Sequence, residues 1–155
     1  MILRRAAAIF GLLSALLLPA AARAADDTAT VVLRTDSGAH SFNVEVADEE
    51  QERRMGLMFE RSLADNAGML FLYDKPQPIV MWMKNTYLSL DMIFIDAAGK
   101  VHRIEERTEP FSTEPIFSDG SVQGILEVKA GTARTIGLKP GDEVGLPGLD
   151  AAPKP

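Results

Sequence analysis

Residues 79–96 read IVMWMKNTYLSLDMIFID, and this stretch decides how the rest of the chain folds. It contains the only tryptophan, three of the seven methionines and one of the two tyrosines. A polar segment, Lys84-Asn85-Thr86, separates two apolar runs. Short apolar runs that are rich in β-branched and aromatic residues indicate buried strands. We therefore predict two core strands joined by a short polar loop.

The first 24 residues have the pattern of a secretory signal peptide. A basic start, Met1–Arg5, precedes an apolar segment, Ala6–Leu18, which is too short to cross a bilayer comfortably. Ala22-Arg23-Ala24 fits a cleavage site. We therefore expect cleavage after Ala24, a periplasmic or secreted protein, and no stable membrane span after cleavage. An uncleaved membrane anchor is the alternative interpretation.

The mature chain is acidic and has no cysteine. Removing the three arginines of the signal peptide changes the net charge from −6 to −9. This charge argues against nucleic acid and anionic membrane surfaces as partners, because both attract a basic face. The absence of cysteine excludes disulfides, thiol redox chemistry and thiolate metal ligands.

The remaining residues divide into a polar lead-in at 25–30, a β-rich domain at 31–146 and a tail at 147–155. The tail is expected to be disordered because it is rich in proline and alanine. Within the domain, alternation and apolar runs predict further strands over residues 31–35, 40–46, 69–73, 101–106, 122–128 and 143–146. The fold class expected from this pattern is mainly β with a minor α+β character, in a compact barrel-like single domain.

Two short helices and two irregular segments complete this prediction. Helices are predicted over residues 48–55 and 132–138, and the first has Asp48 as its N-cap with Gln51 three residues later. Asp74–Pro78 is predicted to break the chain between strands. Residues 107–120 form a long irregular segment of the kind that often covers a binding site.

Six motifs in the domain resemble one family. They are Gly56-Leu57-Met58, Gly68-Met69-Leu70-Phe71, Trp82-Met83-Lys84-Asn85-Thr86, Leu90-Asp91-Met92-Ile93-Phe94-Ile95-Asp96, Leu126-Glu127-Val128-Lys129-Ala130-Gly131 and Gly137-Leu138-Lys139-Pro140-Gly141-Asp142. Together they resemble the domain-of-unknown-function family 192, a family of small, often exported bacterial and archaeal proteins. The resemblance implies a compact β-rich domain, and it implies no established activity.

The residues around the polar loop form the first candidate site. Trp82 would provide an apolar platform and Lys84 a cation, while Asn85 and Thr86 would add neutral polar groups. Asp91 interrupts an apolar run, so its carboxylate needs a partner, and it would orient a ligand. One aromatic with a few polar groups is typical of a small-ligand pocket. The structural alternative is that Asp91 accepts backbone N–H groups of residues 85–87 and fixes the loop.

A second candidate is a copper site. Met81 and Met83 are two residues apart, so they would share one face of a strand, and thioethers select Cu(I). His102 would supply an imidazole ligand, with His40 as the other histidine of the chain. The alternative is that both methionines fill the core, which is their usual role.

A third candidate pairs two carboxylates. Glu127 lies on a predicted strand, and together with Asp91 it would give an acid/base pair for an envelope hydrolase. The alternative is that Glu127 is solvated or engaged in an ion pair.

The sequence favours a binding or accessory module over an enzyme, without deciding between them. The motifs Gly-x-Ser-x-Gly, Ser-x-x-Lys, His-Glu-x-x-His and the phosphate-binding glycine-rich loop do not occur. The candidate ligand-binding residues are therefore Trp82, Lys84, Asn85, Thr86, Asp91 and Glu127, and the candidate metal ligands are Met81, Met83 and His102. The expected partner is a small molecule or an envelope protein, and the sequence indicates no particular cofactor.

Overall fold

The computed structural model describes residues 28–146. The predicted signal peptide and the predicted tail lie outside this range. The elements in chain order are β1 (Thr28–Thr35), β2 (Gly38–Ala47), α1 (Glu50–Met55), β3 (Ala67–Met81), β4 (Leu90–Ile95), β5 (Val101–Glu105), β6 (Ile116–Lys129), α2 (Thr132–Ile136) and β7 (Glu143–Gly145). Strand β1 starts three residues before the predicted domain boundary at 31.

All seven strands form one sheet in the order β5-β4-β6-β3-β2-β1-β7. Neighbouring strands are antiparallel except β2 and β3, which are parallel and connected through α1. A bridge between Lys100 and Glu143, with a hydrogen bond from the Val101 N–H to the Asp142 carbonyl, joins the two ends of the sheet. The sheet is therefore curled into a half-barrel, which confirms the mainly β, barrel-like single domain.

The central strands are buried on both faces. Every residue of β4 is buried, which is why its sequence, LDMIFI, contains almost no polar positions. Residues 91, 93 and 95 face one core cluster, which also contains Leu126, Val128 and residues of α2. Residues 90, 92 and 94 face a second cluster on the other side of the sheet, below the turn that follows α1. The sheet thus separates two cores.

Residues 79–96 differ from their prediction in the connection between their two strands and in the length of the first strand. Strand β3 continues through the predicted break at residues 74–78 and ends at Met81. Strands β3 and β4 are not neighbours, because β6 lies between them, so the loop Trp82–Ser89 crosses over β6 rather than closing a hairpin. Beyond Phe71, β3 pairs only with β6 within the described range. Pro76 and Pro78 are tolerated there because one edge of the strand has no ladder to complete.

The two predicted helices are present, with shifted boundaries. Helix α1 begins at Glu50. The residue that completes the capping box with Glu49 is Glu52 rather than Gln51, because the Glu52 carboxylate accepts the Glu49 N–H at 3.2 Å. The predicted irregular segment at 107–120 is shorter than expected, because β6 begins at Ile116. Neither helix in residues 28–146 is long and apolar enough to cross a membrane.

Candidate functional site

A cleft of about 270 Å³ lies between α1 with its following turn and the β3–β6 pair. Met55 and Met58 form its helical wall, and Met81 and Trp82 form the wall at the end of β3. Glu127 of β6 lines its floor. We refer to this feature as the Glu127 cleft.

The sheet register determines which way Glu127 points. Its Cα partners are Met69 on β3 and Met92 on β4. Directly paired residues project to the same face of a sheet, so the Glu127 side chain faces the second core cluster together with these two methionines. The next residue on this face of β3 is Phe71, which also lines the cleft.

Glu127 is buried and has no polar partner. Only 4% of the residue is exposed, and burial raises the pKa of its carboxyl group to about 8. Neither a hydrogen bond nor an ion pair with another group of residues 28–146 contributes to this pKa. No fully buried side-chain oxygen in that range lacks a partner, so the carboxyl oxygens must reach the cleft. At pH 7 the group is a neutral acid with a free donor and a free acceptor.

The outer walls of the cleft are apolar and unusually accessible. Met55, Val80 and Trp82 are each more than half exposed. Val80 lies beside Phe117, its Cα partner on β6, which is equally exposed but does not line the cleft. Exposed large apolar groups that surround a concavity are typical of binding sites, and methionine adapts its shape to different ligands.

The charged groups of the helical wall are already engaged. The Arg53 guanidinium lies 5.0 Å from the centre of the Tyr73 ring, and it donates to the carbonyl oxygens of Leu72, at 2.9 Å, and Asp48. Arg54 forms an ion pair with Glu50 at the exposed helix surface.

Tyr73 lines the cleft together with Arg53 and Glu127. Burial raises the pKa of the Tyr73 hydroxyl, with a smaller opposing effect of Arg53 and a further rise caused by the charge of Glu127. This coupling shows that Tyr73 and Glu127 share one electrostatic environment.

The structure brings together three of the predicted ligand-binding residues. Trp82, Thr86 and Glu127 line the same cleft. Lys84 and Asn85 are exposed in the adjacent turn and do not line it. Asn85 has a left-handed backbone (φ 58°), its carbonyl accepts the Phe59 N–H, and its amide lies 3.9 Å from the Met58 sulfur. Asn85 therefore supports the wall of the cleft from behind.

Asp91 lies on the opposite face of the sheet, where its carboxylate holds the backbone of neighbouring segments. It is fully buried, and its carboxylate accepts the backbone N–H groups of Arg107 (2.9 Å), Gly131 (3.0 Å) and Ala133 (2.9 Å). The donors are therefore the start of α2 and the second residue after β5, not residues 85–87 as the structural alternative proposed. Asp91 and Glu127 do not form the predicted carboxylate pair, because the sheet separates their side chains.

The predicted copper ligands are also not assembled as expected. Met83 is buried in the second core cluster and Met81 packs against that cluster. His102 is exposed on β5 and lies against Gly120 and the Asp119 carbonyl. Nowhere in residues 28–146 do three His, Asp or Glu side chains form a group that could hold a metal ion.

Sequence reasoning missed the helical wall of the cleft. Met55 is the last residue of α1 and Met58 lies three residues later, so the two methionines on either side of Gly56 were a signal of apolar groups at the end of the helix. Tyr73 was assigned to an interior strand without a role. The segment predicted to cover the site contacts the polar loop after β3, since the Met83 N–H donates to the Ser112 carbonyl and the Phe111 N–H donates to the Thr86 carbonyl, but it does not line the Glu127 cleft.

Comparisons with known proteins give a consistent family assignment. The family model DUF192, described as "Uncharacterized ACR", matches residues 31–146. A solved structure from Sinorhizobium meliloti, described as a candidate transcription regulator, has 42% identity and a TM-score of 0.74, covering 76% of this chain and 92% of that chain. A protein of unknown function from Novosphingobium aromaticivorans has 35% identity and a TM-score of 0.75, covering 77% of this chain and 85% of that chain. No curated protein matches.

Proposed function

Because the chain belongs to DUF192, a family of unknown function, we propose a function from the site itself: binding of a small amphipathic molecule in the Glu127 cleft. The observation that carries this proposal is a buried carboxyl group that has no partner within residues 28–146 and opens into an apolar cleft. Buried polar groups in proteins nearly always form hydrogen bonds to protein or to water, and a carboxyl group at the floor of an apolar cleft can form them with a ligand.

The dimensions of the cleft support a small molecule rather than a protein segment. A volume of about 270 Å³ corresponds to roughly nine water molecules at ~30 Å³ each. It lies just below the range for small-molecule sites, about 300–1,000 Å³. Met55, Met58 and Trp82 would bury the apolar part of such a ligand, and Glu127 would orient its polar part.

A binding role fits these groups better than hydrolysis. Paired-carboxylate chemistry needs two carboxyl groups in one site, within about 10 Å of each other, whereas Asp91 lies across the sheet from Glu127. Export of the protein remains part of the proposal. It is supported by the signal-peptide pattern of residues 1–24, and it would place binding in the periplasm or outside the cell.

The proposal can be tested with a neutral apolar probe, N-phenyl-1-naphthylamine, whose emission rises in an apolar site. Excitation of Trp82, the single tryptophan, should transfer energy to the bound probe with saturable, one-to-one binding. Val80→Asn should weaken probe binding about tenfold, since ~1.4 kcal/mol of apolar contact corresponds to that factor.

Phe117→Asn is the matched control. Phe117 is the direct neighbour of Val80 and has the same exposure, 52% against 51%, but it does not line the cleft. Its substitution should change the probe affinity less than twofold. Equal effects of the two substitutions, or no saturable binding to the unmodified protein, would reject the cleft as the binding site.

A further inference from the structure

We propose that the ligand of the Glu127 cleft carries a protonated amine, with its ammonium group bound by the Glu127 carboxylate and its hydrocarbon part packed against Trp82 and the cleft methionines. This inference rests on the proposed function and names the chemical class of the ligand.

The first argument is the missing countercharge. A glutamate is almost never fully buried unless it is paired, and Glu127 has no cation beside it within residues 28–146. The two arginines of the cleft do not fill this role, because Arg53 is held by the Tyr73 ring and two carbonyl oxygens, and Arg54 is paired with Glu50. The chain therefore provides the acceptor, and a ligand would provide the cation.

The second argument is the chemistry of the walls. An ammonium group has three hydrogen-bond donors and no acceptor, so it matches a carboxylate with two unoccupied oxygens. The Trp82 ring is 55% exposed at the entrance, so it offers an apolar surface to the hydrocarbon part of the ligand. The thioethers of Met55, Met58 and Met81 would cover a flexible alkyl chain. An inorganic cation would leave this apolar surface unused.

Binding of an ammonium group would require the ionised carboxylate, so one proton would leave Glu127 when the ligand binds. With a carboxyl pKa of about 8 in the free protein, the apparent Kd for an amine should fall about tenfold for each pH unit between pH 6 and pH 7. The other titratable groups facing the cleft are Tyr73, Glu50, Arg53 and Arg54. None is a histidine, the residue that ordinarily titrates in this range, and the pKa of Tyr73 is raised above its ordinary value.

The test uses n-hexylamine, with 1-hexanol as the matched neutral ligand, each displacing N-phenyl-1-naphthylamine from the purified protein. We expect hexylamine to bind at least tenfold more tightly than hexanol at pH 8. We also expect its Kd to fall about tenfold from pH 6 to pH 7, while the Kd of hexanol stays constant. Glu127→Gln keeps the shape of the side chain and removes its charge. This variant should bind both ligands equally and lose the pH dependence for the amine.

The outcomes separate this inference from the proposed function. If the probe binds in a Val80-dependent manner but hexylamine and hexanol are equivalent, the cleft is a binding site and the amine class is wrong. If Glu127→Gln leaves the hexylamine affinity and its pH dependence unchanged, Glu127 is not the ammonium site. If Ag(I), a stable substitute for Cu(I), displaces the probe one-to-one and hexylamine does not, the methionines serve a soft metal ion and the amine proposal is rejected. If the probe does not bind, both proposals are rejected.

Discussion

The carboxyl groups of Asp91 and Glu127 face opposite sides of the sheet, although the two residues are diagonal neighbours on β4 and β6. Asp91 pairs with Val128, and Glu127 pairs with Met92, so a shift of one position sends each side chain into a different core. Asp91 accepts three backbone N–H groups, whereas no hydrogen bond from residues 28–146 contributes to the pKa of the Glu127 carboxyl. One carboxyl is therefore part of the fold, and the other is available for a ligand.

Asp91→Asn should strongly destabilise the protein. The substitution places an amide NH₂ among backbone N–H groups at the start of α2, and a buried donor that loses its charged acceptor costs about 1.5–3 kcal/mol. We expect a loss of about 3 kcal/mol in the free energy of unfolding, measured by urea denaturation. Asp96→Asn is the control, because Asp96 also accepts two backbone N–H groups but lies in an exposed turn. It should lose less than about 1 kcal/mol, and an equal loss at both positions would contradict the structural role of Asp91.

Glu127 should make stability depend on pH in the direction opposite to an ion-paired acid. Its pKa is raised from 4.5 to about 8 in the folded protein, so the folded state holds one more proton than the unfolded state between these values. The stabilisation of the folded state that results from this extra proton is fully present below about pH 4.5. It is lost as the pH rises to about 8, which lowers the free energy of unfolding by roughly 5 kcal/mol at ~1.4 kcal/mol per pH unit. Glu127→Gln should remove this slope. Urea midpoints at pH 5, 6, 7 and 8 test it, and parallel curves for the two proteins would refute it.

Gly68→Ala should be destabilising because no space exists for a methyl group. A Cβ at this position would lie 2.4 Å from the Glu127 carbonyl oxygen and 3.2 Å from a Val128 methyl. Backbone atoms of a central strand have little freedom to move, so we expect a loss of about 1–3 kcal/mol. Gly124→Ala lies in the same β3–β6 pair, where the nearest atom is 3.5 Å away. Thermal unfolding should show a clearly smaller loss for Gly124→Ala than for Gly68→Ala.

Phe59→Gly should be better tolerated than Phe117→Gly, although both rings are about half exposed. Phe59 has a left-handed backbone (φ 68°), which costs an L-residue about 1–2 kcal/mol and costs glycine nothing. Phe117 lies in β6, outside the left-handed region, where glycine weakens a strand. We expect the free energy of unfolding to be about 1–2 kcal/mol higher for the Phe59 variant than for the Phe117 variant. Equal losses would show that the backbone of Phe59 is not strained.

The sequence contained enough information to predict the element types and the mainly β class. Runs such as LDMIFI allow few alternatives, and the turn residues Asp36 and Ser37 lie between β1 and β2. The strand order was not accessible, because the placement of β6 between β3 and β4 depends on packing between segments far apart in the chain. The prolines of β3 were interpreted as a break, since the sequence does not reveal that one edge of that strand is unpaired.

The candidate site could be predicted only in part for a similar reason. Trp82 and Glu127 were identified as unusual residues in apolar runs, and Thr86 as part of the polar segment between two such runs. Whether the Asp91 and Glu127 side chains face the same side of the sheet depends on the register between β4 and β6, and a shift of one residue reverses the answer. The sequence of either strand alone does not determine this register. Met55 and Met58 enter the site only because α1 folds back over the sheet, so a tertiary contact gives them their role.

The two prolines of β3 also affect how copies of this protein meet one another. An unpaired strand edge with free N–H groups is a template on which a strand of another molecule can grow into a shared sheet. Pro76 and Pro78 have no N–H to offer, and they lie next to Val80 and Trp82, the exposed apolar residues where such growth would otherwise be favourable. The apolar entrance of the cleft can therefore stay accessible to a ligand without promoting edge-to-edge association of β3 between molecules.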